Sequence, residues 1–254
     1  MSRWLFDLGN TRLKAAPLGA DGRPGAVLAI AHDGVDLAAE LDRHLPPSID
    51  AAAVASVAAE PLRVALLQAL ATRCQRISLA STARQWAGLR IAYADPSRLG
   101  VDRFLAMLGA RAEGPGAVLV CGVGTALTVD LVDADGLHRG GRIAPSPALM
   151  REALHGRASQ LPANGGVYRD FADDTDDALA SGCEGAAVAL VERSLAAAAE
   201  LLGAPPPRLL LHGGGAAALA ARLPAPELRP DLVLEGLARW SAAASPVVAG
   251  TDAA

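Results

Sequence analysis

The chain has 254 residues, of which 52% are hydrophobic and 20% are charged, and its net charge at neutral pH is −4. This length suits one large domain or two ordinary ones, and the composition allows a substantial core and excludes global disorder. The negative charge argues against nucleic acid or an anionic membrane as the main partner. The aromatic share of 3% argues against the stacking platforms that bind single-stranded nucleic acid.

The cysteines and the apolar segments indicate the compartment. Cys74, Cys121 and Cys183 lie far apart and form no CxxC pair, so we expect free, buried thiols in a reducing compartment. Asp7 interrupts the first apolar run too early for a signal peptide. No segment reaches the roughly 18 apolar residues that a membrane helix needs. We therefore expect a soluble, cytoplasmic protein.

The first half of the chain predicts a mixed sheet covered by helices. Apolar runs predict strands at residues 3–8, 11–18, 27–31, 51–57, 76–79 and 89–93. Helical spacing of apolar residues predicts helices at residues 35–45, 61–74 and 100–111. In the last of these helices Asp102 and Arg103 fall between the apolar positions, so we expect them to point away from the apolar face of the helix.

A Gly/Pro patch at residues 113–116 predicts a domain boundary, with domains at residues 1–115 and 116–254. The strand-turn-strand pattern then restarts, which indicates a weak internal duplication. Strands are predicted at residues 117–121, 126–132, 138–143 and 208–212. Helices are predicted at residues 148–155, 175–202, 216–223 and 232–241, the long one being interrupted at Gly182 and Gly185.

The turn after the first strand is unusually polar. Its residues are Asp7, Leu8, Gly9, Asn10, Thr11, Arg12, Leu13 and Lys14. The backbone N–H groups and the hydroxyl can donate to phosphate oxygens, the ammonium adds positive charge, and the carboxylate can reach Mg²⁺ directly or through water. The stretch by itself is equally compatible with an ordinary hairpin, because Gly-Asn is a turn dipeptide.

Three further sites are marked by glycines. They are Gly100–Arg103, Gly122–Asp130 and Gly213–Gly215. Two strand-turn-strand phosphate clips followed by a late strand-Gly-Gly-helix turn resemble the acetate and sugar kinase, Hsp70 and actin superfamily. The resemblance implies an α/β fold of two ribonuclease-H-like domains with mixed sheets and an ATP cleft between them.

The motifs also resemble a single family within that superfamily. Asp7-x-Gly-Asn-Thr-x-x-Lys14, Gly100-x-Asp-Arg103 and Gly124-Thr-Ala-x-Thr-x-Asp130, followed by Gly140-Gly141-x-Ile143-x-Pro145, are similar to the motifs of the type III pantothenate kinases. The resemblance implies ATP-dependent phosphorylation of pantothenate to 4′-phosphopantothenate, the first step of coenzyme A biosynthesis.

The resemblance further implies roles for individual residues. ATP with Mg²⁺ is expected to bind at Asp7–Lys14 and Thr125. Asp7, directly or through water, or Asp130 is expected to bind the metal. Pantothenate is expected at Tyr93, Gly100, Val101, Asp102, Arg103 and Thr175, the threonine reaching the substrate across a homodimer interface. Asp102 is the expected catalytic base, because a helix start keeps a carboxylate ionised at neutral pH. Arg103 can bind the substrate carboxylate through two hydrogen bonds.

One position departs from the family pattern. The family usually has an aspartate two residues before Gly-Thr-Ala that holds NH₄⁺ or K⁺, and this chain has Gly122 there. Either backbone carbonyls hold the cation or the cation dependence is weaker, and we hypothesise weaker or absent K⁺ binding.

Alternatives remain open from the sequence. The chain could be a regulatory or accessory protein that keeps the kinase fold, or a kinase of another small hydroxy acid. Thr175 could be only the N-cap of its helix, Tyr93 a half-buried strand residue and Arg103 a solvated charge. The five histidines show no metal-ligand spacing.

Overall fold

The computed structural model describes residues 2–32, 34–112 and 114–244. Glu113, within the predicted boundary patch, and residues 245–254 of the predicted second domain lie outside the described residues. The chain forms two compact units. Unit 1 contains the described residues of 1–88, 95–112 and 233–254, and unit 2 those of 89–94 and 113–232.

The secondary structure alternates strands and helices in both units. The strands among the described residues are β1 (Arg3–Leu8), β2 (Arg12–Pro17), β3 (Leu28–Ala31), β4 (Ala51–Ser56), β5 (Ile77–Leu79), β6 (Gln85–Trp86), β7 (Leu89–Arg90), β8 (Val118–Val123), β9 (Ala126–Val132), β10 (His138–Pro145), β11 (Arg208–His212) and β12 (Glu227–Leu228). The α-helices are α1 (Leu37–His44), α2 (Glu60–Ala71), α3 (Val101–Arg111), α4 (Pro147–Arg157), α5 (Thr175–Leu202), α6 (Ala216–Ala220) and α7 (Leu232–Ala244). A short 3₁₀ turn covers Pro96–Arg98.

Unit 1 contains a five-stranded sheet in the order β3-β2-β1-β4-β5. A short turn joins β1 to β2, and residues 18–27 connect β2 to β3; both pairs are antiparallel. Strands β4 and β5 run parallel to β1 and β4 respectively. Parallel neighbours need a crossover connection, and α1 and α2 supply these crossovers.

The alternation of side chains along β1 places Phe6 and Leu8 on one face of the unit 1 sheet and Asp7 on the other. Phe6 and Leu8 are fully buried on the face that packs against Leu41 of α1 and Leu66 of α2. Asp7 lies between them in sequence and therefore faces the opposite side of the sheet.

Unit 2 repeats this topology with a sheet in the order β10-β9-β8-β11-β12. Strands β8, β9 and β10 are antiparallel neighbours, and β11 and β12 are parallel additions. The predicted internal duplication is confirmed at the level of strand order and direction. One sheet face packs on α5 through Cys121, Val129 and Leu211 of the sheet and Ala187 and Val191 of the helix.

The long helix differs from the prediction. Helix α5 runs without interruption for 28 residues, although glycine inside a helix costs roughly 1 kcal/mol relative to alanine. The buried stripe of α5 that includes Val191 and Leu195 packs on the sheet, and this tertiary burial offsets the weak local propensity of Gly182 and Gly185. The predicted strand at residues 89–93 is also shorter and ends at Arg90.

Helix α7 shows why the compact units are discontinuous in sequence. All of α7 after Leu232 belongs to unit 1, where Gly236 lies directly against the backbone carbonyl of Leu105 in α3. Any side chain at this glycine would clash with that carbonyl. The sequence places residues 233–244 with the second half of the chain, and the domain boundary between residues 115 and 116 stays a prediction.

The structure bears on two expectations drawn from composition. The three cysteines are free, with Cys121 and Cys183 buried and Cys74 half-buried, and burial raises the pKa of the Cys121 thiol. No described helix combines the length and the apolar composition that a membrane-spanning segment requires.

Candidate functional site

The polar turn between β1 and β2 is held by backbone hydrogen bonds. The Gly9 N–H donates to the Arg12 carbonyl at 3.0 Å, and the His32 N–H donates to the Thr11 carbonyl at 3.4 Å. The His32 Nε2 atom lies 3.0 Å from the Gly9 carbonyl oxygen. Asn10, Thr11 and Arg12 remain exposed at the tip. The turn is therefore fixed before a ligand arrives and offers several donors to it.

Asp7 and Lys14 are direct cross-strand partners at the base of this turn, so their side chains share one face of the sheet. Asp7 is half-buried. Its desolvation, and secondarily the negative charge of Asp102, raise the pKa of the Asp7 carboxyl to about 7, while Lys14 opposes the shift. Two carboxylates thus act on each other in unit 1, which favours a cation near them.

The start of α3 places the predicted base. Gly100 is the N-cap and Asp102 lies in the first turn. The Arg103 N–H donates to the Asp102 Oδ1 at 2.8 Å. A Cβ atom on Gly100 would lie 2.6 Å from the same oxygen. The glycine therefore leaves the space that the Asp102 carboxylate occupies.

The alternative that Arg103 is a solvated charge is wrong. Arg103 is only 6% exposed. Helix α3 contacts β4 and also α7 through Leu105 and Gly236, so it is covered on more than one side. Every residue from Arg103 to Ala110 is buried. A single apolar stripe therefore underestimates how much of the surface of this helix is buried.

The turn between β8 and β9 is also closed by a glycine N–H, but it is one residue shorter than the first polar turn. The Gly124 N–H donates to the Ala126 carbonyl at 3.0 Å, two residues on, whereas the Gly9 N–H donates to the carbonyl three residues on. Thr125 is exposed at the tip, and its carbonyl accepts from the Ser146 N–H at 3.4 Å. Thr125 directly follows the turn glycine, as Asn10 does in unit 1.

Gly122 lies in β8 beside Thr128 of β9 and His212 of β11 in the strand register. A Cβ atom on Gly122 would lie 2.7 Å from the Thr128 Oγ1 and 2.9 Å from the His212 Nε2. The space that a longer side chain would need is filled by these two neighbours. The residues present therefore do not fit a carboxylate-held monovalent cation at this position.

The structure also reveals a buried polar pair that sequence reasoning missed. The His138 Nε2 and Asp130 Oδ1 atoms are 3.0 Å apart, and His138 is fully buried. His138 pairs with Val132 in the β9–β10 register, so Asp130 is its diagonal cross-strand neighbour on the same face. The Asp135-Gly136 hairpin turn was the signal that could have predicted this pairing. A metal role of Asp130 stays a prediction, and the structure adds that the Asp130 carboxylate also contacts His138.

Thr175 is exposed at the first position of α5. The alternative that it is the N-cap is wrong, because the N-cap is Asp174, which accepts from the Asp177 N–H at 2.8 Å. Asp177 in turn accepts from the Val167 N–H at 2.7 Å and from the Arg169 Nε at 2.6 Å. These bonds lower the pKa of Asp177 and tie the preceding loop to the helix.

Comparison with known proteins decides the family. A sequence model described as type III pantothenate kinase matches residues 4–197. The chain belongs to the type III pantothenate kinase family. A type III pantothenate kinase from Xanthomonas campestris pv. campestris (strain B100) is 59% identical to it over 244 residues, which cover 95% of this chain and 98% of that relative.

Solved structures confirm the fold class that was predicted for this type III pantothenate kinase family member. A proposed 2-dehydro-3-deoxygalactonokinase from Sinorhizobium meliloti aligns with a TM-score of 0.61 and 16% identity over 99% of this chain and 100% of that one. A proposed Baf family transcriptional activator from Campylobacter jejuni aligns with a TM-score of 0.58 and 19% identity over 92% of this chain and 94% of that one. At these identities the likeness concerns the fold alone.

The predicted site residues of this family member divide between the two units. Unit 1 carries the turn Asp7–Lys14 and the helix start Gly100–Arg103, and unit 2 carries Tyr93, Thr125 and Thr175. Among the described residues, no three His, Cys, Asp or Glu side chains group as a metal site. Mg²⁺ in phosphoryl-transfer sites is usually held by one or two carboxylates, water and the phosphates, and the Asp7 carboxylate suits such a site.

Proposed function

We propose that this protein phosphorylates pantothenate with ATP to give 4′-phosphopantothenate, the first step of coenzyme A biosynthesis. The observation that carries the proposal is the electrostatic proximity of Asp102, at the start of α3, to Asp7 beside the phosphate turn. A base and a candidate metal ligand therefore lie in one unit. The family membership supports the same reaction.

The reaction needs one proton acceptor and stabilised phosphates. The pantothenate hydroxyl oxygen forms the new bond to the γ-phosphorus, the bond from that phosphorus to the β–γ bridging oxygen breaks, and the hydroxyl proton passes to Asp102. Asn10, Thr11 and Lys14 donate to the phosphates of ATP. We assign Thr125 to the same nucleotide.

The donor set around Asp7 suits Mg²⁺. Desolvation and the nearby Asp102 charge disfavour an ionised Asp7 in the absence of a cation, and a divalent ion would reverse that penalty. When bound, Mg²⁺ neutralises charge on the phosphates. We assign Asp7 as its protein ligand, directly or through water, and keep Asp130 as the second candidate.

We assign recognition of pantothenate to Gly100, Val101, Asp102, Arg103, Tyr93 and Thr175. The burial of Arg103 supports a role in binding a carboxylate, because a desolvated guanidinium favours an anionic partner. The exposure of Thr175 at the start of α5 leaves its hydroxyl accessible to a substrate.

We also propose a homodimer that buries an apolar groove between α4 and α5. Pro145, Leu149, Met150, Leu154 and Leu179 line this groove. Leu154 is 43% exposed, and the lining is overwhelmingly apolar, as is usual for surfaces that another protein covers. A second copy seated there would also lie near Thr175 at the start of α5.

We further propose that activity requires no site-specific K⁺ or NH₄⁺. Gly122 has no carboxylate to hold such an ion, and Thr128 and His212 fill the space that a larger side chain would need there. We place the enzyme in the cytoplasm, where ATP is abundant and the three free thiols stay reduced.

The deciding experiment is a coupled ADP-release assay on the purified protein with pantothenate. Asp102→Asn should lower kcat by roughly a hundredfold or more, the scale of a lost general base. Asp135→Asn is the matched control, since Asp135 is exposed in the β9–β10 turn, and it should keep wild-type turnover. Absence of wild-type turnover, or full turnover by Asp102→Asn, would overturn the assignment.

The same assay separates the alternatives. Turnover with another small hydroxy acid and none with pantothenate would favour a different substrate. Calorimetric binding of ATP without turnover of any hydroxy acid would favour a regulatory or accessory protein.

A further inference from the structure

The pair formed by Asp130 and His138 belongs to unit 2, whereas the assigned base Asp102 and the first metal candidate Asp7 belong to unit 1. Asp130 is 2% exposed and His138 is 0% exposed. A buried carboxylate and imidazole carry a desolvation cost that apolar residues in their places would avoid. Their contacts indicate what they do.

The hydrogen bonds of His138 define its protonation. The Ala92 N–H donates to the His138 Nδ1 at 3.4 Å, so that nitrogen has no proton. The proton therefore resides on Nε2, which donates to the Asp130 Oδ1 at 3.0 Å. Asp130 thus selects the tautomer in which the His138 Nδ1 can accept a hydrogen bond from the Ala92 N–H.

This arrangement attaches the segment that carries Tyr93 to the β9–β10 hairpin. The Arg90 N–H donates to the Gly136 carbonyl at 2.9 Å. The Tyr93 ring then stacks on the His138 ring, with centroids 6.0 Å apart and planes inclined by 10°. The segment has only two residues of regular strand, so these contacts position the tyrosine.

We propose that Asp130 and His138 are positioning residues for Tyr93 and that they act on pantothenate binding through its ring. The inference rests on the proposed function, in which Tyr93 contacts pantothenate. Asp130 orients the imidazole, the imidazole holds the Ala92 backbone and the Tyr93 ring, and the phenol group is presented to the substrate. Neither residue touches the reacting atoms.

The test measures the KM for pantothenate, the KM for ATP and kcat separately. His138→Asn removes the stacked ring and the contact with Asp130, but its amide oxygen can take the place of Nδ1 and accept from the Ala92 N–H. We expect it to raise the KM for pantothenate by about fivefold to tenfold, the scale of a lost aromatic contact. The KM for ATP and kcat should stay within about twofold of wild type.

Two substitutions of Asp130 distinguish positioning from loss of the fold. Asp130→Asn keeps an oxygen that accepts from the His138 Nε2, so its KM for pantothenate should stay well below that of the Asp130→Leu protein. Asp130→Leu removes the acceptor and should raise the KM for pantothenate as His138→Asn does. Val129→Ala is the matched control, because Val129 lies on the opposite sheet face in the α5 core, and it should lower Tm without changing the KM.

A double-mutant cycle with Tyr93 completes the test. In a Tyr93→Ala background, His138→Asn should have almost no further effect on the KM for pantothenate, because its only route to the substrate is gone. Additive effects, or a folded His138→Asn protein with wild-type KM, would overturn the inference. So would the loss of a folded state in both His138→Asn and Asp130→Leu, since the pair would then be purely structural. Failure of the wild-type protein to turn over pantothenate would instead refute the proposed function.

Discussion

The ionisation of Asp7 should control how this enzyme binds Mg²⁺ and ATP as the pH changes. Desolvation, and then the charge of Asp102, raise the pKa of Asp7 to about 7. At that value about 9% of the carboxyl is ionised at pH 6 and about 91% at pH 8. If only the carboxylate binds the metal, the apparent Kd for Mg·ATP should rise about tenfold between pH 8 and pH 6.

Substitutions around Asp7 should move this transition in predictable directions. Asp102→Asn removes the second cause of the shift, so the pKa of Asp7 falls and binding persists to lower pH. Lys14→Met removes the opposing positive charge and moves the transition to higher pH. Titration calorimetry from pH 5.5 to 8.5 measures binding directly, so the low turnover of Asp102→Asn does not interfere.

Asp7→Asn is the control for the titration of ATP itself, because its remaining pH dependence belongs to the ligand. An identical pH profile for the wild type and Asp7→Asn would refute the reasoning. An unchanged transition in both Asp102→Asn and Lys14→Met would refute the electrostatic cause that we assign to it.

Four further outcomes are expected. Gly100→Ala should lower kcat by about tenfold with little change in Tm, because its methyl group displaces the Asp102 carboxylate; an unchanged kcat would contradict this. Replacing K⁺ and NH₄⁺ with Na⁺ should leave turnover within about twofold of its value, and a collapse of the rate would show that a cation binds despite Gly122. Leu154→Glu should convert the dimer to a monomer in analytical ultracentrifugation, whereas the exposed control Glu152→Gln should not; a dimeric Leu154→Glu protein would place the interface elsewhere. The lowered pKa of Asp177 contributes stability that is present above its unfolded value and is lost as the pH falls through its folded value, so Asp177→Asn should lower Tm at pH 7 but not at pH 2.5, and an equal effect at both would exclude the ionic cause.

Local patterns were sufficient for the two phosphate turns. Strand-turn-strand segments depend on apolar alternation and on turn residues that are close in sequence, so the β1–β2 and β8–β9 turns follow from the residues that form them. The structure adds that a glycine N–H closes each turn, Gly9 to the Arg12 carbonyl and Gly124 to the Ala126 carbonyl. The repeated strand order explains why the motifs recur.

At two places, long-range packing gives a structure that differs from the prediction made from local sequence patterns. Gly182 and Gly185 predicted breaks in α5, but burial of the helix against the unit 2 sheet stabilises it through both residues. The apolar spacing in α3 predicted a single buried face, and it left a solvated Arg103 open as an alternative. Helix α7, which packs on α3, lies more than a hundred residues later in the chain. Residue spacing within α3 cannot predict that contact.

The sequence by itself determined the family, the reaction class and the motifs that carry it, because these depend on residue types at short spacing. The tertiary structure alone decided which polar groups are desolvated and which partners they meet. It raised the pKa of Asp7 by desolvating the carboxyl and, secondarily, by bringing the charge of Asp102 near it. It filled the space at Gly122 with Thr128 and His212, and it joined Asp130 to His138 across a hairpin. Burial and electrostatic coupling arise from contacts between distant segments, and only the folded chain establishes those contacts.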